Sequence, residues 1–281
     1  MSFSPSWLAL RAHADTRARV QSLESLTRDA LAQRGRAGDA TLIDLGSGSG
    51  ANCRYLAPRL GDARPWLLVD NDAVLLRQAE ASCRPLPGVT QLQTLQLDLA
   101  ERLPDLPLSG AALLTASALL DLVSLSWLTA LVEACHTAAL PALFTLSYDG
   151  RIALSPADPD DQWIIAAINA HQHGDKGFGP ALGPQASEEA VRLFSAAGYD
   201  VTRARSDWQL DARDLADAAL LQPLIEGWAG AAAEQYPDAA ERAANWCRRR
   251  LQALSLGQCQ VSVGHEDVLA LPSDIARRSQ S

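Results

Sequence analysis

The residues best suited to chemistry stand at the ends of apolar runs. LIDLGSGSG at 42–50 closes an apolar stretch with Asp44 and then alternates Gly46, Gly48 and Gly50 before a helical pattern starts near Ala51. Glycines in that position permit a tight turn and let backbone approach a ligand closely. The helix start beyond them offers unpaired N–H groups to a ligand carboxylate. LLVDND at 67–72 ends a second apolar run on Asp70, about 20 residues on, followed by Asn71. Asp98 follows a third run, beside Leu99, and ALLTASALLD at 112–121 carries Thr115, Ala116 and Asp121 past a fourth. A polar, glycine-rich segment, HQHGDKGFGPALG at 171–183, supplies His171, His173, Asp175, Lys176 and Phe178.

The elements that must position these residues alternate. Strand patterns near 41–45, 66–70, 92–97, 111–115 and 142–148 are separated by helical patterns near 51–59, 72–83 and 126–139. Such alternation predicts a parallel sheet covered by helices. Residues 4–36 read as an N-terminal helix capped by Ser4 and ended by Gly35 and Gly38. Asp158-Pro159-Asp160-Asp161 reads as a helix start, and Ser187 as the cap of another helix closing at Gly198. A sixth strand is expected at 199–205, helices broken at Pro223 and Pro237 over 211–256, and a last strand over Gln258 to Gly264, running antiparallel because it follows a long helical insertion.

D-x-G-x-G-x-G after the first strand resembles the class I S-adenosylmethionine-dependent methyltransferase superfamily, and the resemblance covers residues 41–148 best. It implies an α/β fold: a Rossmann-like, seven-stranded, mostly parallel sheet with helices on both faces, an N-terminal helical segment over residues 1–40, and a methyltransferase domain over 41–281. Insertions at about 150–186 and 211–256 would form a lid and a helical cap. It implies S-adenosylmethionine as cofactor, with its methionine part on Gly46, Ser47, Gly48 and Gly50. Asp44 would orient the amino group, Asp70 the ribose, and Asn71, Asp98 and Leu99 the adenine, with Thr115 and Ala116 beside the reactive methyl. The spacing Gly46-x-Gly48-x-x-Ala51 also fits a dinucleotide fingerprint, so a nicotinamide-dependent oxidoreductase is the first alternative. Asp44 would repel a pyrophosphate there, and Asp98 adds an adenine-side acid. A non-catalytic S-adenosylmethionine-binding protein is the second alternative.

The acceptor is expected to be a small anionic molecule. Lys176 is the single lysine among 24 basic residues, a compact charge suited to a carboxylate or phosphate. His171, His173 or Asp121 would act as base, and Tyr148, Arg151 and Phe178 would join Lys176 around the substrate. A formal net charge of −9 argues against nucleic acid. No apolar run is long enough to span a membrane, and the start lacks a signal peptide's order, so a cytoplasmic protein is expected. Five scattered cysteines without a C-x-x-C pair, and His265-Glu266 alone after the last strand, suggest no metal site. Trp208, Trp228 and Trp246 are expected in the core of the cap.

Overall fold

The computed structural model describes residues 4–33 and 40–273. The chain opens with α1 (Pro5–Ala18), capped by Ser4, whose Oγ accepts from Trp7 N at 3.2 Å, and α2 (Gln21–Gln33). The single expected helix is two, because Arg19 takes an extended ψ of 142° and turns the chain. The stop expected at Gly35 and Gly38 lies outside the described residues.

An alternating series follows: β1 (Leu42–Leu45), α3 (Ala51–Leu56), β2 (Arg64–Asp70), α4 (Ala73–Cys83), β3 (Val89–Gln96), β4 (Leu113–Ser117), α5 (Leu125–Thr137) and β5 (Ala142–Ser155). Then come α6 (Asp161–Gln172), α7 (Ala186–Ala196), β6 (Tyr199–Arg205), β7 (Trp208–Asp211), α8 (Leu215–Gln235), α9 (Ala240–Ser255) and β8 (Gln260–Pro272). The sheet order is β3-β2-β1-β4-β5-β8-β6, with β7 also paired to β8. β1 to β5 run parallel, while β8 is antiparallel to β5, β6 and β7. An antiparallel strand between the fifth and sixth positions departs from the 3-2-1-4-5-6 order of dinucleotide folds.

Alternate side chains cover the two faces of the sheet. Ile43, Leu45, Leu67, Val69, Leu114, Ala116 and Phe144 pack with α5 and α7. Leu42, Trp66, Leu68, Leu113 and Leu143 pack with α2, α3 and α4. Asp44 and Thr115 share the parity of this second set and therefore sit under α3.

The sheet has one more strand than expected, and the excess has a cause. β5 continues past residue 148 to Ser155, and β8 runs antiparallel beside it, with Ile152 opposite Val263 and Ser155 opposite Gln260. β7 pairs on the other side of β8, Trp208 opposite Val263. This three-stranded extension stands beyond the carboxyl end of β5. It carries a third core built from α1, α6, α8 and α9, including Ile164, Ile168, Trp208, Leu221, Ile225, Trp228 and Trp246. The acids of 158–161 serve this core more than a helix start. Asp158 and Asp160 pair with Arg249, Asp160 also with Arg242, and Asp161 with the buried Arg250 of α9. α6 accordingly begins at Asp161. Ser187 lies inside the first turn of α7 and is not its cap. α8 runs unbroken through Pro223, held by buried Leu220, Leu221, Leu224 and Ile225. No helix among the described residues is long and apolar enough to cross a membrane.

Candidate active site

A cavity of about 220 Å³ opens over the carboxyl ends of β1, β2 and β4. Its floor begins at the glycine turn, where Gly46 and Gly48 have φ of +59° and +52°. At Gly48 an added Cβ would lie 3.3 Å from Leu8 of α1, so a side chain would fill the approach to the turn. Gly50 serves a different purpose. Its φ is +85° and a Cβ there would meet Cys83 Sγ at 2.5 Å, so this glycine lets α3 pack on α4. Ser47 is buried beneath the turn, its N–H donating to Val69 O at 3.0 Å, and it does not line the cavity.

Asp70 stands at the rim. Its Oδ2 accepts from Gly48 N at 2.8 Å and its Oδ1 from Asp72 N at 2.9 Å, which ties the first loop to the second. Asn71 and Asp72 line the wall beside it. Asp98 and Leu99 form the opposite wall, and Asp98 Oδ1 accepts from Ala100 N at 3.0 Å. Trp127 of α5 holds that wall: its Nε1 donates to Leu99 O at 2.6 Å, and its ring meets Phe178 edge-on at 5.4 Å. Phe178, Gly177 and Lys176 complete the lining.

Several expected contacts lie elsewhere. β4 extends to Ser117, two residues further than expected, so Ser117, Ala118 and Leu119 line the cavity, while Thr115 and Ala116 lie below it. Thr115 Oγ1 donates to Leu143 O at 2.8 Å, and Ala116 is buried in the core. Asp44 is fully buried behind Asn52, whose Nδ2 donates to Asp44 Oδ1 at 2.7 Å and to Thr115 Oγ1 at 3.1 Å. Its other oxygen has no hydrogen-bond partner, and burial pushes it up to about 7.

The two histidines do not reach the cavity. His171 Nε2 lies 3.0 Å from Glu234 Oε2 of α8, and His173 Nδ1 lies 3.3 Å from Ala181 O. A helix runs through His171 to Gln172, so the two residues face different ways. Tyr148 donates its hydroxyl to Asn169 Oδ1 at 2.7 Å. Arg151 is engaged by Asp149 and Asp207. Both residues belong to the junction between sheet and extension, and neither lines the cavity. The 171–183 segment is folded on itself: Asp175 Oδ1 accepts from Gly177 N and Gly179 N, and the backbones of Asp175 and Pro180 form an antiparallel bridge.

Asp121 lies just behind the cavity wall formed by Leu119 and Leu122. It is buried, one of its oxygens has no hydrogen-bond partner, and burial pushes it up to about 6 against the pull of Arg11 and Lys176. Lys176 is only 9% exposed and donates to His171 O at 3.1 Å. No carboxylate lies within 4.0 Å of its ammonium among the described residues. The N-terminal helix supplies the contacts that the sequence patterns missed. Leu8 and Arg11 of α1 close the top, with Arg11 fixed by Asp15 at 2.9 Å and set 5.1 Å over the Trp208 ring.

This chain is similar in structure to a cyclopropane-fatty-acyl-phospholipid synthase-like protein from Lactobacillus casei, at 12% identity and a TM-score of 0.50, over 93% of this chain and 99% of that one. A methyltransferase from Thiobacillus denitrificans, in complex with S-adenosylhomocysteine, aligns at 15% identity and a TM-score of 0.45, over 96% and 99% of the two chains. No family model and no curated protein sequence matches the chain. The chain shares a Rossmann-like α/β fold with the Lactobacillus casei protein.

The residues present suit the expected cofactor. Asp70 lines the cavity with one backbone N–H on each oxygen and further acceptor capacity for hydroxyls, and the turn at Gly46 and Gly48 carries no side chains to obstruct a ligand. The Asp98 and Leu99 wall combines an acceptor with an apolar surface for a base.

Proposed function

We propose that the chain binds S-adenosylmethionine across the carboxyl ends of β1 to β4 and transfers its methyl group to a small anionic metabolite. One cavity joins the two sets of residues this needs. Gly46, Gly48, Asp70, Asn71, Asp98 and Leu99 line it together with Arg11, Lys176 and Phe178. The observation that carries the acceptor class is the buried Lys176 ammonium with no carboxylate within 4.0 Å among the described residues. A buried charge left unpaired is costly, and an anionic ligand offsets that cost.

When bound, S-adenosylmethionine would supply an electrophilic sulfonium methyl, and Gly46, Gly48, Asp70, Asn71, Asp98 and Leu99 would hold it. The protein contributes alignment, which can supply roughly 7–11 kcal/mol. Lys176 and Arg11 hold the acceptor's anionic group, and Phe178, Leu122 and Leu8 exclude water. Where the acceptor atom carries a proton, that proton is relayed to Asp121, which stands behind the Leu119 and Leu122 wall and does not itself line the cavity. A carboxyl held near 6 is ionised at neutral pH and still basic enough to take a proton.

Methyl release measured over a panel of small carboxylates and phosphates, each beside its neutral ester or amide, tests this reading. Turnover confined to the anionic members is expected. Equal turnover of the neutral members overturns the acceptor class, and tight cofactor binding with no turnover on any compound points to a sensor instead of an enzyme.

A further inference from the structure

Lys176 is held at the cavity by His171, at the end of α6, and not by a carboxylate. α6 stops at Gln172, and the carbonyl oxygens of its last turn lack partners within the helix. His171 O is one of them. It accepts from Gly174 N at 3.1 Å and from Lys176 Nζ at 3.1 Å. The cation therefore sits at the negative end of the helix dipole. Gly174 keeps that place open: a Cβ there would lie 3.2 Å from His171 O and 3.9 Å from Lys176 Nζ.

The His171 ring makes a second contact to the same ammonium. Its Nδ1 lies 3.5 Å from Lys176 Nζ, and its Nε2 lies 3.0 Å from Glu234 Oε2 of α8. These two neighbours call for one tautomer. An ionised carboxylate only accepts, so Nε2 carries the proton. An ammonium only donates, so Nδ1 is left as the acceptor. The ring and the carbonyl of one residue thus take two of the three ammonium N–H bonds. The third is left for the cavity that Lys176 lines. A tetrahedral ammonium can divide its donors this way, whereas the planar fork of a guanidinium cannot. Both acceptors are neutral, so they hold the charge without cancelling it. The Glu234 side chain is 75% exposed, and water screens its charge.

We propose that His171 and Glu234 are positioning residues for Lys176: Glu234 locks the imidazole, and the imidazole aims the ammonium at the anionic group of the acceptor. The assignment rests on the acceptor reading of Lys176. Neither residue lines the cavity, so each acts through the lysine. His171 thereby takes part in acceptor recognition without being a base. The arrangement also gives a reason for the single lysine among 24 basic residues to stand at this position.

Because Lys176 is the single lysine, isotope labelling of lysine at Nζ gives one ammonium signal in an NMR spectrum of the full chain. Exchange of its protons with water reports the hydrogen bonds that hold it. His171→Gln should speed that exchange about tenfold, the scale of one lost hydrogen bond. His171→Asn should stay within about twofold of the wild type, because its amide oxygen stands where Nδ1 does, while the glutamine amide reaches toward Glu234. A general loss of packing does not separate these two amides. Glu234→Ala, at an exposed site, should speed exchange about threefold, and it carries the comparison if the His171 variants do not fold. Exchange unchanged in His171→Gln, equal acceleration in both amide variants, or no effect of Glu234→Ala would overturn the assignment. A second arm titrates acetate and inorganic phosphate in the presence of saturating S-adenosylhomocysteine. The wild-type signal should shift saturably, and His171→Gln should need about tenfold more anion. A wild-type signal that neither anion moves overturns the acceptor reading of Lys176, while the exchange rates still decide the part played by His171.

Discussion

The half of the molecule built on β1 to β4 and the half built on the extended tails of β5 and β8 solve the same problem differently. In the first half, function lies in backbone turns at strand ends, and the residues that meet are near in sequence. Gly48 and Asp70 are 22 positions apart and Asp98 follows the next strand. In the second half, nearly every contact is distant. Trp208 reaches Asp15 over 193 positions, Arg17 reaches Asp217 over 200, and Trp246 reaches Asp161 over 85. The first half is a local design that a short motif can report. The second is a packed cap whose logic appears only when the chain is folded.

The largest expected effect breaks the cap. Trp246 is fully buried and donates to Asp161 Oδ1 at 2.8 Å. Trp246→Ala should cost about 3–5 kcal/mol of stability by denaturant unfolding. At a temperature where the variant remains folded, its affinity for S-adenosylhomocysteine should fall much less than its use of the acceptor. Comparable loss of both would merge the two halves into one functional unit.

The converse variant strikes the local half. Asp70→Ala should weaken S-adenosylmethionine binding roughly tenfold to a hundredfold, the worth of a charged hydrogen-bond acceptor, while the cap keeps its stability. Calorimetry and thermal unfolding on the same sample separate these outcomes.

A smaller effect is a dependence on pH. Burial raises Asp121 from 3.8 to about 6. A carboxyl raised on folding holds its proton more tightly in the native state, so its contribution is best below pH 3.8 and declines as pH climbs through about 6. Asp121→Asn should therefore gain of the order of 3 kcal/mol at neutral pH relative to acid. If Asp121 accepts the acceptor's proton, the same variant should lose the rise in turnover through pH 6. A stability gain with an unchanged pH profile would leave Asp121 as packing alone.

The smallest effect concerns specificity. Lys176→Ala should raise the KM for the acceptor about tenfold and leave cofactor affinity near the wild-type value.

What was legible in the sequence follows the same division. The glycine turn, Asp70, Asn71, Asp98 and Leu99 could be placed because strand, turn and helix patterns are short-range. The sheet's faces followed from alternation, but the reading stopped β4 at Thr115 and so named Thr115 and Ala116 where Ser117 and Ala118 stand. Period two also puts Asp44 under α3 and away from the first cavity. Lys176 and Phe178 were found by composition and loop character, whereas Leu8, Arg11 and Trp127 had no local signal. Leu8 and Arg11 reach the cavity only because α1 folds over the sheet, and Trp127 supports its lining because α5 packs against Leu99 and Phe178. The histidines misled because proximity in sequence to Lys176 is not proximity to the cavity once α6 carries His171 toward Glu234.

The central claim is cofactor binding, and titration calorimetry with S-adenosylmethionine on the wild-type chain tests it most directly. The structure leads us to expect saturable binding at one site per chain in the micromolar range, weakened by Asp70→Ala and not displaced by NAD. An absence of binding at high micromolar concentration, or displacement by NAD, would contradict it.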